Sequence, residues 1–116
     1  MKTAKVAMDP SGTDPRWADL RDKFRQYLTG RRGSSPNTVK VYTADLLPFF
    51  RYLNLQNLEP PEVDRQQGRR YLAWLCTQGK GGQGYARTSV ARKLVVLREF
   101  YRFLAQSGVV PVNPIP

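Results

Sequence analysis

The sequence predicts an all-α fold, a compact bundle of four helices, and three observations support this prediction. Apolar residues recur at helical spacing in four segments. Proline or a capping residue begins these segments, and glycine follows three of them. No segment shows the alternation of a β-strand, and no internal repeat is present. A chain of 116 residues is long enough for one small domain with one core.

Helix one is predicted to follow a polar lead-in, residues 1–13, which we expect to be disordered. Asp14 is suited to the N-cap, and Pro15 is suited to the first helical position. The predicted buried stripe consists of Trp17, Leu20, Phe24 and Leu28. Gly30 is expected to end this helix in the left-handed conformation.

Helix two is predicted to begin at Ser35 and Pro36, a cap followed by proline. Its buried positions are predicted to be Val39, Tyr42, Leu46, Phe49, Phe50 and Leu53. Pro48 lies within this pattern, where it removes a backbone donor and crowds the carbonyl of Ala44. Because the pattern continues in phase beyond Pro48, we expect a kink rather than a break.

Helix three is predicted to start at Asp64, after a loop over residues 55–63 that contains two prolines. Asp64 and Gln67 form a pair that resembles a capping box. The inner face is expected to hold Tyr71, Leu72, Leu75 and Cys76, with Gly79 ending the helix. A single cysteine excludes an intrachain disulfide framework.

Helix four is the most informative segment. Its apolar residues step by four, three, four and three positions, at Val90, Leu94, Leu97, Tyr101 and Leu104. A flexible glycine-rich loop, residues 79–84, is predicted to precede this helix, and Gly108 to close it. We therefore expect a helical domain over residues 14–108 and a linker over residues 109–116.

Aromatic side chains of helices two and four fall in or beside the buried stripes. This position favours core packing over base stacking. The residues concerned are Phe49, Phe50, Phe100, Tyr101 and Phe103.

The charge of the chain favours a polyanionic partner. Nineteen lysines and arginines oppose nine acids, which gives a net charge of +10. The excess is concentrated in residues 31–58, with four cations and one acid, and in residues 85–116, with five cations and one acid. A merely basic soluble domain is the less favoured alternative.

The sequence disfavours a free-standing enzyme. Without histidine it lacks the usual proton shuttle and the usual zinc or iron ligand. It also lacks a phosphate-binding loop, so we expect no cofactor and no metal. No apolar run is long enough for a signal peptide or a membrane span, and we therefore expect a cytoplasmic protein without a membrane partner.

Three surface features are candidates for contact with a polyanion. The first is the start of helix four, where helix N–H groups, hydroxyls and cations coincide. The second is the outer side of helix two, which is predicted to hold Asn37, Lys40, Val41 and the small Ala44. The third is the basic pair Arg31 and Arg32. For each feature, an ordinary solvated face or a helix cap remains an alternative.

Two segments resemble the core-binding domain of tyrosine recombinases, that is, of phage integrases and Xer-type enzymes. Residues 35–53 share its pattern of Ser/Thr, Thr, Tyr, Asp-Leu, Phe and Phe-Leu. Residues 89–104, followed by Gly108 and Asn113-Pro114, are similar to the last long helix and exit of that domain. The resemblance covers about residues 14 to 116. It implies a SAM-like bundle that forms half of a clamp around duplex DNA, with helices two and four towards the major groove.

The resemblance also implies which residues bind double-stranded DNA. The positions are Arg31, Arg32, Thr38, Lys40, Arg87, Thr88, Ser89, Arg92 and Lys93. Other recombinase protomers would be partners on DNA, whereas the isolated domain is expected to be monomeric. In the family, the catalytic residues follow the Asn-Pro exit, so we expect a recombinase fragment that does not cleave DNA alone. A SAM-like protein–protein interaction module is the alternative function.

Overall fold

The computed structural model describes residues 15–115, with side chains from Trp17 onwards, and it confirms the all-α prediction. The four long helices are α1 (Pro15–Gly30), α2 (Pro36–Gln56), α3 (Arg65–Thr77) and α4 (Arg87–Gln106). A 3₁₀ turn, Pro60–Glu62, follows α2. A short turn, Gly79–Gly82, follows α3, and Lys80 and Gly81 within it have left-handed backbone angles. The described residues contain no strand. The predicted lead-in and the Asp14 cap lie outside the described residues.

Aromatic rings from all four helices build the core. The ring of Phe100 on α4 lies 5.3 Å from Phe24 of α1, 6.2 Å from Phe49 of α2 and 5.9 Å from Phe50 of α2, measured between centroids. Tyr71 of α3 completes the group at 5.0 Å from Phe49. Edge-to-face arrangements such as these suit the ring quadrupole. The prediction of core packing for these aromatic residues is confirmed.

Side chains cap α2 and α3 as predicted. The Ser35 hydroxyl accepts a hydrogen bond from the backbone N–H of Thr38 at 3.2 Å, and Asp64 accepts one from Gln67 at 2.8 Å. Pro48 lies inside α2, which continues through it to Gln56 without a break. Continuity is possible because the apolar face of α2 stays buried on both sides of the proline, as the in-phase pattern indicated.

Two details of the predicted helices are wrong. Gly30 is the last residue of α1, and the left-handed residue is Gly33 instead, with φ +68°. The reason is that the backbone N–H groups of Arg31 and Arg32 both donate to the Tyr27 carbonyl, at 3.0 and 3.1 Å, which closes the helix before the turn. Cys76 is exposed rather than in the core, since it lies about 100° around α3 from the buried Leu75.

The glycine-rich connection before α4 is a hydrogen-bonded turn that packs against the end of α3. The N–H of Tyr85 donates to the Leu75 carbonyl at 2.8 Å, and the N–H of Gly84 donates to Gly79 at 2.7 Å. Gly84 has φ +79°, and a Cβ there would collide with the Cys76 carbonyl. These contacts fix where the chain enters α4.

The chain after α4 also packs on the bundle. Gly108, with φ +78°, ends α4 as predicted. Val110 and Ile115 are buried, and the Asn113 amide donates to the Arg98 carbonyl at 3.1 Å. The role of residues 109–116 as a linker stays a prediction.

Replacing Gly84 by alanine is expected to lower the free energy of unfolding by about 3 kcal/mol, because it adds a steric clash to an unfavourable positive φ. Gly81→Ala is the matched control. Gly81 has φ +68° with open space around it, so this change should cost about 1 kcal/mol. Urea denaturation followed by circular dichroism measures both values, and equal losses would contradict the packed turn.

Candidate nucleic-acid interface

A buried carboxylate joins α2 to α4. Asp45 of α2 has a side chain only 4% exposed, and it accepts three hydrogen bonds from α4. Arg92 donates through Nε at 2.6 Å and through Nη2 at 3.0 Å, while Lys93 donates through Nζ at 2.9 Å. The contact with Arg92 is bidentate, the geometry in which a guanidinium binds a carboxylate most strongly.

The two cations keep Asp45 ionised. Burial by itself favours the neutral acid, but hydrogen bonds from Arg92 and Lys93, together with their charges, outweigh it and hold the pKa of Asp45 below its usual value. Reciprocally, the hydrogen bond and charge of Asp45 raise the pKa of Arg92. With two cations and one anion, this cluster carries one net positive charge.

Arg92 and Lys93 differ in their access to solvent. The Arg92 side chain is 55% exposed, whereas that of Lys93 is 8% exposed. The Lys93 ammonium lies 4.5 Å from the centroid of the Tyr85 ring, in addition to its contact with Asp45. Lys93 was predicted to face DNA, but the structure places its charge inside the bundle. Asp45 engages two of the five guanidinium donors of Arg92, so the exposed edge is available for another anion.

The backbone N–H groups at the start of α4 are not capped by a side chain. The N-cap is Ala86, which has no side-chain acceptor. The hydroxyls of Thr88 and Ser89 therefore do not cap this helix, which was the alternative role for them. Arg87 and Thr88 are exposed, and Ser89 is half-buried. Charge, hydroxyls and helix N–H groups therefore coincide there, as the sequence indicated.

The outer side of α2 carries the next predicted residues. Lys40 and Ala44 are exposed, as predicted for this face. Thr38 is half-buried, and its hydroxyl accepts a hydrogen bond from that of Ser35 at 3.0 Å, which ties Thr38 to the helix cap. Since Arg92 reaches Asp45, its guanidinium lies beside this part of α2.

The basic pair before α2 divides in a similar way. Both residues are exposed, but the Arg32 guanidinium contacts neighbouring side chains of the bundle. The Arg32 guanidinium lies 5.1 Å from the centroid of the Tyr42 ring and donates to the Ser34 hydroxyl at 3.0 Å. Its Nε lies 3.8 Å from a carboxylate oxygen of Glu99 on α4.

Sequence reasoning missed Asp45 and Glu99, the acids that hold these arginines. One signal was present, because Asp45 directly precedes the buried Leu46 within an apolar stripe, and a carboxylate in such a position needs a partner. Nothing local indicated that the partners lie on α4.

Other kinds of site are not seen in residues 15–115. No group of histidine, cysteine and acidic side chains there is arranged to hold a metal ion. No helix in the same range is long and apolar enough to cross a membrane.

Asp45→Asn is expected to lower the free energy of unfolding by about 3–5 kcal/mol at neutral pH, because it leaves the Lys93 charge buried without its counter-charge. The folded-state pKa of Asp45 lies below the unfolded value, so its contribution is complete above about pH 4 and is lost as pH falls through the folded pKa. The difference from the unsubstituted chain should therefore shrink below about pH 4. Urea unfolding at a series of pH values measures this difference in the free energy of unfolding.

The matched control for that substitution is Asp19→Asn. Asp19 is 79% exposed and pairs with Lys23 at 3.2 Å, so its loss should cost less than about 1 kcal/mol. Equal destabilisation by the two substitutions would show that the contact of Asp45 with α4 does not stabilise the fold.

Comparison with known proteins identifies the family. The sequence profile of the phage integrase N-terminal SAM-like domain matches residues 22–108. The tyrosine recombinase XerC of Listeria monocytogenes serotype 4a is 40% identical over 96 residues, which cover 82% of this chain and 30% of the relative. The tyrosine recombinase XerD of Shewanella oneidensis is 38% identical over 96 residues, which cover 83% of this chain and 30% of the relative.

The chain spans about 30% of the length of these curated relatives. A comparison with solved structures gave no match. The profile match extends over most of the chain and includes α2, α3 and α4 completely. The chain belongs to the phage integrase N-terminal SAM-like domain family.

Proposed function

We propose that this chain is the duplex-DNA-binding module of a site-specific tyrosine recombinase, and that it positions a catalytic domain outside these residues on a recombination half-site. The observation that carries the proposal is Arg92, a half-exposed guanidinium held by Asp45 where α2 meets α4. Family membership supplies the biological context, because the matched relatives are named tyrosine recombinases.

The surface of α2 and α4 suits the phosphates of a DNA duplex. Arg31, Lys40, Arg87 and Arg92 are exposed cations, and phosphate contacts of such residues supply most of the non-specific affinity of DNA-binding proteins. The uncapped N–H groups at the start of α4 add donors that point along the helix axis. The small side chain of Ala44 permits close approach of α2 to a groove.

Two of the predicted contacts take supporting roles in this proposal. Lys93 neutralises Asp45 from inside, and Thr38 completes the cap of α2. Neither places a charge on the surface. We assign both residues to positioning the helices rather than to direct contact with DNA.

The larger protein would cleave and rejoin DNA strands. The catalytic arginines, lysine, histidine and tyrosine of that chemistry would come from residues beyond those of this chain, and further protomers would assemble on the same DNA. Residues 14–108 would form the DNA-binding domain, with residues 109–116 leading to the catalytic part.

DNA binding by the chain should depend steeply on salt. If about five phosphates are neutralised, the plot of log K against log salt concentration should have a slope near about −4.5. Arg87→Ala removes one exposed cation and should reduce the steepness of the slope by about 0.9, with stability unchanged within about 0.5 kcal/mol. Fluorescence anisotropy with a short mixed-sequence duplex measures the slope.

Arg69→Ala is the matched control, since Arg69 is an exposed arginine on α3. It lowers the net charge equally and should leave the slope nearly unchanged. Binding that ignores salt, or equal effects of the two substitutions, would contradict the proposed interface.

One observation favours the alternative of a protein-interaction module. A groove of about 530 Å³ between α1 and α2 is lined mainly by apolar surface, including Val39 and Leu47. If this groove is the functional site, the chain will bind a protein partner with an affinity that Arg87→Ala does not change. Duplex DNA will then bind weakly, and its binding will not depend on the residues of α4.

A further inference from the structure

A polar pocket lies between the end of α1 and the second half of α4, about 510 Å³ in volume. We call it the Glu99 pocket. Its lining residues are Tyr27, Arg31, Arg32, Glu99, Arg102 and Gln106. Three arginines and one acid thus converge from two helices and the loop between α1 and α2.

Glu99 organises this pocket. Its side chain is 13% exposed, and it accepts a hydrogen bond of 2.6 Å from the Tyr27 hydroxyl. The second carboxylate oxygen lies 3.8 Å from Nε of Arg32. Burial, followed by the hydrogen bond to Glu99 and its charge, raises the pKa of Tyr27, so the phenol remains a donor at neutral pH. One oxygen of Glu99 thus accepts a hydrogen bond from Tyr27, and the other lies within ion-pair distance of Arg32.

The pocket has an excess of positive charge. Glu99 balances one of three guanidinium groups, which leaves a net charge of +2. Arg31 and Arg102 are exposed, and within the described residues neither side chain forms an ion pair. A concave surface lined by three guanidinium groups suits an oxyanion such as phosphate.

The position of the pocket relates it to the proposed DNA surface. Glu99 follows Arg92 by seven residues, which is about 10 Å along α4 and within about 20° of the same face. The exposed guanidinium of Arg92 and the pocket thus lie along one side of α4. A DNA backbone that contacts Arg92 would have phosphates within reach of the Glu99 pocket.

We propose that Arg31, Arg32 and Arg102 form one phosphate-binding subsite around Glu99, and that Arg102 contacts the DNA backbone. This inference rests on the proposed function and extends the interface to the second half of α4. It gives Glu99 the role of a positioning residue, which holds Arg32 and Tyr27 without binding phosphate itself.

The test compares Arg102→Ala with Arg69→Ala in binding to a short mixed-sequence DNA duplex. Arg102→Ala should weaken binding about tenfold and reduce the salt slope by about 0.9, whereas Arg69→Ala should do neither. If Arg31 and Arg102 bind the same phosphate, substituting both should cost less affinity than the sum of the losses from the two single substitutions. Circular dichroism establishes that the variants are folded, and Arg102→Lys, which keeps the charge, should bind better than Arg102→Ala.

Three results would overturn the inference. Arg102→Ala could bind DNA as the unsubstituted chain does while Arg87→Ala binds more weakly, in which case the proposed function stands and the subsite fails. Losses at Arg31 and Arg102 could be strictly additive, which would place them on separate phosphates. Arg102→Ala could change only self-association in sedimentation equilibrium, which would identify an acidic side chain of a second copy as the occupant. If the unsubstituted chain does not bind duplex DNA, the proposed function fails as well.

Discussion

Asp45 lies in the apolar contact between α2 and α4, where its charge is stable because Arg92 and Lys93 bring two positive groups to it. Removing either charge from such a site is costly, so the three residues fix how the two helices meet. The arrangement also separates the roles of adjacent cations. Lys93 is enclosed against Tyr85, and Arg92 extends to the surface.

Arginines held in this way lose less freedom when they bind an anion. A flexible arginine gives up about 2 kcal/mol of side-chain entropy when it is immobilised. In this domain Asp45 has already restricted Arg92, and Glu99 with the Tyr42 ring has restricted Arg32. The two acids subtract from the net charge of the proposed interface but restrict the direction of Arg92 and Arg32. Such preorganisation would favour specific contact over diffuse attraction.

Most of the fold could be predicted because periodicity records which residues face the core. The stripes of α1, α2 and α4 and the side-chain caps of α2 and α3 are local properties of the chain. The exposure of Cys76 could not be predicted, since an apolar pattern locates the edge of a buried helix face only to within about one residue. The burial of Lys93 could not be predicted for a different reason, because it depends on Asp45, which is 48 residues away in sequence. The basic character of the candidate site was therefore predictable, and its internal ion pairs were not.

The most direct test of this account is the DNA affinity of Asp45→Asn beside that of Asp19→Asn, measured at a temperature where both variants are folded. Each substitution raises the net charge of +10 by one, and electrostatics alone would strengthen DNA binding in both. We expect Asp45→Asn to bind DNA more weakly than the unsubstituted chain, because Arg92 loses its fixed direction, while Asp19→Asn binds equally well or better. Binding by folded Asp45→Asn that is as tight as that of Asp19→Asn would contradict the account.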